Sequence, residues 1–423
     1  MRKQIFFPHV DAIVKHYIKH FGGKIAPMEI EALREILYEY IEQRVEKTYV
    51  YNSEKIGASF VYSMIDTSDI AKKLYIKSRS DGDLKFNVKQ EPTTTCEMEF
   101  VFVGGFINSR DGNEYASQEE VIHRMIEEIP RALQAIDEGN EPKQKQIYTL
   151  ASPTNELGYI TDKFVESLNK SNATEQIGLL YADFISSVLK INARNEKTIC
   201  VYFSGISMGS GFAIETAQYL ITNGILTQSN ENKKAPFLQL RINLPAGQSS
   251  ISEKIKKWQI PIGYVLEIAY TMIANSYMRF IMHADSKFIK SKNAILAEKG
   301  ILINMSPHQA KVKKKIISRV YKTLMTGIPV PNNLKVTEVI GIVDPLMYSL
   351  KFRKLVEKKR NKYSSRRKLT GESLGENIVS DPKNPNRRTF GIFTSHNIPF
   401  LRKSEFQRLK KAVKMFEDLK NKK

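Results

Sequence analysis

The sequence predicts an α/β protein in which a mainly parallel sheet is flanked by helices, with a helical cap insertion and an N-terminal helical extension. Two observations support this fold class. From about residue 74, short apolar runs with strand character alternate with longer helix-like runs, which is typical of a parallel sheet covered on both faces. In addition, the segment Gly205-Ile206-Ser207-Met208-Gly209 joins an apolar strand-like run to a helix-like run, as a sharp strand-to-helix turn does.

The predicted elements follow in chain order. Residues 1–72 form the N-terminal helical extension, with helices at 10–21 and 27–47 and a short apolar helical piece at 56–65. The α/β core comprises 73–247 and 334–423. Its strands are predicted at 74–77, 84–88, 98–103, 146–150, 198–203, 236–244, 336–343 and 390–393, and its helices at 117–136, 176–191, 211–220 and around Phe406, Leu409, Val413 and Phe416. Residues 248–333 are mostly helix-like and interrupt the alternation of strands and helices, which predicts a helical cap.

Ser207 is the candidate nucleophile. A serine two residues after one glycine and two before another, between a strand and a helix, is the pattern of a nucleophile elbow. The glycines allow a turn too sharp for side chains, the serine hydroxyl stands above the sheet, and the amides at the start of the helix favour negative charge. The alternative interpretation is an ordinary glycine-rich turn between a buried strand and a helix.

A second strand ends in glycines and offers oxyanion donors. The apolar run at 99–103 is followed by Gly104-Gly105-Phe106, where the backbone can pass close to a ligand. We expect an amide of Gly105 or Phe106 to act with the amide of Met208 as an oxyanion hole. An ordinary glycine turn is the alternative here too.

Two late strands are followed by side chains that suit acid–base chemistry. Asp344 comes directly after the strand-like run 336–343, and His396 follows the short strand at 390–393. A histidine can take the serine proton, and a carboxylate can hold the imidazole in the required tautomer. Asp381 and Asp285 are the other carboxylates considered, but only Asp344 lies just beyond a strand.

The chain order Ser207, Asp344, His396 is that of hydrolases with a nucleophile elbow. In these segments the sequence resembles the α/β-hydrolase superfamily, over roughly residues 75–250 and 335–420. The resemblance implies a serine esterase or lipase-like enzyme with a catalytic triad and an acyl-serine intermediate. The sequence departs from the family at the oxyanion motif: Val103-Gly104-Gly105-Phe106 stands where the family usually has His-Gly. An apolar cap favours a lipid or other small-molecule acyl ester, while peptide, thioester and acyl-transfer chemistry remain open.

Composition limits the other classes. A chain of 423 residues with 42% hydrophobic residues can bury a large core, and two cysteines exclude a disulfide scaffold or a cysteine-rich metal site. We expect no cofactor and no metal. The N-terminal residues lack the apolar core of a signal peptide, and charges interrupt the apolar stretch 260–282, so we expect a cytoplasmic protein without a membrane span.

The chain is strongly basic, with a formal net charge of +20. Residues 351–368 carry ten Lys or Arg against one Glu, and such a run attracts the phosphates of nucleic acids or anionic lipids. A solvated helix and loop is the alternative interpretation. The competing function is therefore a non-catalytic hydrolase-like protein that binds nucleic acid or an anionic membrane through this basic surface.

Overall fold

A mostly parallel sheet forms the centre of the protein. The structure is a computed structural model that describes residues 14, 18, 26–78, 95–104, 128–155, 157–169, 172–193, 198–229, 235–242, 297–301, 306–326, 330–331, 333–341, 377–381, 384–392 and 403–422. The described strands are β1 (Thr48–Ser53), β2 (Ala58–Asp66), β3 (Thr95–Gly104), β4 (Gln144–Leu150), β5 (Tyr159–Ile160), β6 (Thr198–Ser207), β7 (Phe237–Ile242), β8 (Val336–Gly341), β9 (Asn377–Asp381) and β10 (Asn384–Ile392).

The strand order across the described sheet is β1-β2-β4-β3-β6-β7-β8-β10-β9, with β5 paired to β2. Strands β4, β3, β6, β7, β8 and β10 are parallel, whereas β1, β2, β5 and β9 pair antiparallel with their neighbours. The carboxyl ends of the six parallel strands therefore share one edge of the sheet. This arrangement is consistent with an α/β-hydrolase-like fold.

Helices cover both faces of the sheet. They are α1 (Pro27–Glu46), α2 (Thr67–Ser78), α3 (Asp162–Ser167), α4 (Ala173–Ala193), α5 (Gly209–Thr222), α6 (Pro307–Thr326) and α7 (Lys403–Asn421), with a further helical stretch at 128–137. Side chains of α3 to α6 share one buried apolar cluster, and those of α1, α2, 128–137 and α7 share another. No helix in the described part of the chain has the length and apolar character needed to cross a bilayer.

The two clusters lie on opposite faces because side chains alternate along the central strands. On β3, Phe100 and Phe102 are in the first cluster, whereas Val101 and Val103 are in the second. Because β3 is buried on both faces, its sequence is a nearly continuous apolar run, as expected for a central parallel strand.

Most predicted strands and helices that fall on described residues are confirmed within a few residues. The predicted strands at 98–103, 146–150, 198–203, 236–244 and 336–343 correspond to β3, β4, β6, β7 and β8, and the predicted helices at 27–47, 176–191, 211–220 and near the C-terminus correspond to α1, α4, α5 and α7. The α/β class and the mainly parallel sheet are therefore correct. The cap stays a prediction, because α6 is the only long stretch of 248–333 that the structure describes.

The N-terminal assignment needs two corrections. Residues 56–65 are not helical: they lie almost entirely in β2, which pairs with β4 inside the central sheet. Residues 74–77 are not a strand but belong to α2. The predicted boundary between residues 72 and 73 therefore falls inside a helix, and the segment before it supplies two strands of the sheet.

Candidate active site

Ser207 lies at the junction between a strand and a helix. It is the last residue of β6, and α5 begins two residues later at Gly209. Its φ is 52°, and no other described residue except glycine has a positive φ. Such a conformation costs an L residue roughly 1–3 kcal/mol and persists only where its surroundings enforce it, which is common at functional sites.

Gly205 allows this junction to be tight. A Cβ atom at position 205 would lie 2.5 Å from Cα of Ser210, 2.9 Å from its backbone N and 3.0 Å from the carbonyl O of Gly209. These are backbone atoms of the first turn of α5, so no side-chain rotation could relieve the overlap. The Ser210 hydroxyl donates a hydrogen bond to the carbonyl of Gly205 at 3.1 Å, which links the strand to the helix across the turn.

The packing of α5 against α4 fixes the position of the junction from behind. The two helices are in close contact at Gly178, where a Cβ would lie 2.5 Å from Cβ of Glu215. There the Thr216 hydroxyl donates to the Gly178 carbonyl at 3.1 Å. Burial, together with the nearby charge of Glu175, raises the pKa of Glu215 to about 7, so this contact contains a carboxyl group that titrates near neutral pH.

Met208, one of the predicted oxyanion donors, follows Ser207 directly in the chain. Met208 is the N-cap of α5, and the first turn of that helix contains no acidic residue. The first N–H groups of a helix have no partner within it and carry partial positive charge. The backbone beside Ser207 can therefore stabilise an anion that forms on an acyl group held there.

The glycine-terminated strand ends beside the serine. Gly104, the last residue of β3, is in parallel register with Ser207 on β6. The strand therefore ends at the edge of the sheet where Ser207 lies. Gly105 and Phe106, the other predicted oxyanion donors, lie outside the described residues.

The strands before Asp344 and His396 end at the same edge of the sheet as β6. The structure describes β8 up to Gly341 and β10 up to Ile392, and both strands run parallel to β6 through β7. Asp344 and His396 themselves lie outside the described residues, as do Asp285 and the basic run 351–368.

Asp381, the alternative carboxylate on the same late segment, lies at the opposite edge. It ends β9 and pairs with Asn384 at the start of β10, and β10 runs parallel to β6. The start of β10 is at the amino edge of the parallel strands, whereas Ser207 is at the carboxyl edge. This placement removes Asp381 as a partner for an imidazole near Ser207.

Two of the buried carboxyl groups lie on strands of the parallel sheet and were not singled out from the sequence. Glu338 on β8 is fully buried and is in register with Ile242 and Thr389. Glu99 on β3 is also buried and accepts a hydrogen bond of 2.9 Å from the Ser204 hydroxyl. The available signal was a Glu inside a mostly apolar strand, since a buried carboxyl group requires a polar partner. Glu338, on the strand that precedes Asp344, is thus a second carboxyl group associated with β8.

Metal ligands do not cluster in this part of the molecule. Among the described residues, no group of three or more His, Cys, Asp or Glu side chains could hold a metal ion. The two cysteines, Cys96 and Cys200, are both free thiols.

Comparison with known proteins adds little to this geometry. No family model matches the chain, and neither does any curated protein. A solved thioesterase domain from the curacin biosynthetic pathway matches with a TM-score of 0.27 and 10% sequence identity, covering 88% of this chain and 98% of that domain. At so low a TM-score the likeness carries no argument about the fold or the function of this chain.

Proposed function

We propose that the protein is a serine hydrolase that cleaves a carboxylic ester through an acyl-serine intermediate, with Ser207 as nucleophile. The observation that carries the proposal is the positive φ of Ser207 between β6 and α5, over a glycine that admits no side chain. An ordinary connection would use glycine at the strained position at no steric cost. A serine in this conformation lowers the stability of the fold but fixes the position of its hydroxyl, as the serine of a nucleophile elbow does.

In the proposed reaction, His396 accepts the proton of the Ser207 hydroxyl while the serine oxygen attacks the ester carbonyl carbon. The carbonyl oxygen becomes an oxyanion that the Met208 amide and an amide of Gly105 or Phe106 stabilise. Collapse of this intermediate breaks the bond to the alcohol, which takes the proton from His396. Water then attacks the acyl-serine by the same steps, releases the acid and restores the serine.

The spacing of the chain permits the proposed triad. Neighbouring strands are about 4.8 Å apart, so β8 and β10 lie roughly 10 and 14 Å from β6 along the sheet. The three residues from Gly341 to Asp344 and the four from Ile392 to His396 span at most about 10 and 13 Å when extended. With the added length of the side chains, an Asp at 344 and a His at 396 have the reach to meet above Ser207.

Turnover of p-nitrophenyl esters by Ser207→Ala tests the proposal. We expect kcat to fall by about 10⁴-fold or more, because no other group supplies the nucleophile. The matched control is Ser210→Ala, which removes a buried hydroxyl from the same turn and is expected to keep most of the activity at a cost of about 1 kcal/mol in stability. Full activity in a well-folded Ser207→Ala protein would end the proposal.

The two carboxyl groups associated with β8 allow the acid to be tested in the same assay. Asp344→Asn is expected to lower kcat by about 10⁴-fold, as loss of the group that orients a catalytic histidine does. Glu338→Gln, which preserves the shape of a fully buried side chain, is expected to act on stability rather than on kcat. The reverse pattern would transfer the proposed role of the acid to Glu338.

A further inference from the structure

Helix α6 separates a buried face from a lysine-bearing face. Its buried side chains are Gln309, Lys313, Ile316 and Val320, at the spacing of one face of a helix. Lys311, Lys314, Lys315 and Ser318 are exposed on the opposite side. The exposed lysines and Ser318 thus form a continuous surface along two turns, which we call the α6 lysine face.

The α6 lysine face has little acidic counterpart. The helix Pro307–Thr326 contains no Asp or Glu. Within the part of the chain that the structure describes, Lys311, Lys314 and Lys315 form no salt bridge, and the one acidic contact near this end of the helix joins Asp162 to His308 at 3.7 Å. Three positive charges are therefore presented to the surroundings.

Polar contacts on its buried side hold the helix in place. The Lys313 ammonium donates to the carbonyls of Asn155 and Gly158 at 2.8 and 2.7 Å. The Gln309 side chain accepts from the amide of Ile160 and donates to its carbonyl, at 3.2 and 2.7 Å. These bonds attach α6 to β5 and to the loop between β4 and β5, so the lysine face belongs to an anchored element of the fold rather than a free tail.

We propose that the α6 lysine face docks on the surface of an anionic lipid bilayer. Lysine is a compact, strongly hydrated charge that suits a diffuse negative potential, and the bonded, half-buried Arg319 is not on this face. A row of strongly hydrated point charges without an exposed arginine beside them, in the described part of the helix, therefore fits the diffuse negative potential of a flat anionic surface. This inference goes beyond the proposed hydrolase function and does not depend on Ser207.

Sedimentation with vesicles tests the proposal on the full chain. The probes are phosphatidylcholine vesicles with and without about 30 mol% phosphatidylserine, at about 0.1 M salt. The wild-type protein is expected to bind only the anionic vesicles. Each lysine at such a surface strengthens binding by about fivefold, so the triple variant Lys311→Gln, Lys314→Gln, Lys315→Gln is expected to bind roughly 100-fold more weakly.

A matched control distinguishes the effect of the α6 lysine face on binding from the effect of net charge. Helix α7, on the other face of the sheet, also exposes three lysines, Lys410, Lys411 and Lys414, but it exposes Asp418 as well. Replacing these three by Gln removes the same charge and is expected to weaken binding by less than about fivefold. Thermal melting of both triple variants should match wild type, since all six side chains are exposed.

Three outcomes would overturn the proposal. The first is equal loss of binding in the two triple variants, which would assign the attraction to overall charge. The second is equal binding of wild-type protein to neutral and anionic vesicles. The third is binding of duplex RNA or DNA, but not of vesicles, that the α6 triple variant weakens; that would make a nucleic acid the partner.

Discussion

Replacing Gly205 by alanine tests whether the close approach of β6 and α5 builds the site. The added Cβ would lie 2.5 Å from Cα of Ser210, about 1 Å inside an ordinary carbon–carbon contact, with two further backbone atoms within 3.0 Å. Because all three atoms are backbone, the start of α5 must move. Overpacking of this kind costs about 2–3 kcal/mol. A displacement of Ser207 by about 1 Å would lower the rate of ester cleavage by roughly 100-fold.

Urea unfolding and p-nitrophenyl ester turnover measure the two effects of Gly205→Ala. Gly139→Ala is the control: Gly139 has a φ of +79°, and no heavy atom would lie within 4 Å of an added Cβ. It is expected to cost about 1 kcal/mol through backbone conformation alone and to leave kcat unchanged. If Gly205→Ala is no less stable than Gly139→Ala and fully active, the steric reasoning about the junction is wrong.

Three further predictions concern stability. Ser207→Gly should be about 1 kcal/mol more stable than Ser207→Ala in urea unfolding, because only glycine relieves the positive φ. Between pH 4.5 and about 7 the folded protein keeps a proton on Glu215 that the unfolded chain has released, so stability falls as pH rises through this window; Glu215→Gln should therefore add up to about 3 kcal/mol at pH 8 and little at pH 4.5, in melts at both pH values. Lys313→Met should cost about 3 kcal/mol in urea unfolding, because it leaves one buried and one partly buried carbonyl without their shared donor.

The core strands and the long helices could be predicted because their sequence patterns are unambiguous. Most of the run that forms β6 is apolar, and a stretch of helical length and mostly apolar character follows it, which predicts a strand followed by a helix. Helix α4 is 21 residues long with a regular apolar face, so only its ends were uncertain. The placement of Ser207 at a strained strand-to-helix junction followed from the same local pattern.

The first part of the chain was harder to predict, because a strand that is buried on both faces shows no alternation of apolar and polar residues. Strand β2 is buried on nearly all positions, so residues 56–65 form an apolar run without the alternation that distinguishes a strand from a helix. In α2, by contrast, residues 74–77 look strand-like alone, yet Ile70, Ala71, Leu74 and Tyr75 are buried together at helical spacing. A window longer than the four residues would have corrected this error.

The candidate site likewise contains residues that could be predicted from local sequence and residues that could not. Ser207 and the amide of Met208 are local features, whereas the choice among Asp344, Asp381 and Glu338 depends on which strands pair. The antiparallel pairing of β9 with β10 places Asp381 at the far edge, and no pattern in the residues around it shows that pairing. The burial of Glu338 likewise results from packing that a single strand sequence does not encode.

Labelling with a fluorophosphonate shows whether Ser207 is an activated nucleophile. Such a probe reacts with a serine only where a base and an oxyanion hole act on it. We expect one phosphonate per chain, located by peptide mass spectrometry on Ser207 and lost in Ser207→Ala, but retained in Ser210→Ala. An unlabelled folded protein, or a label on any other residue, would contradict it.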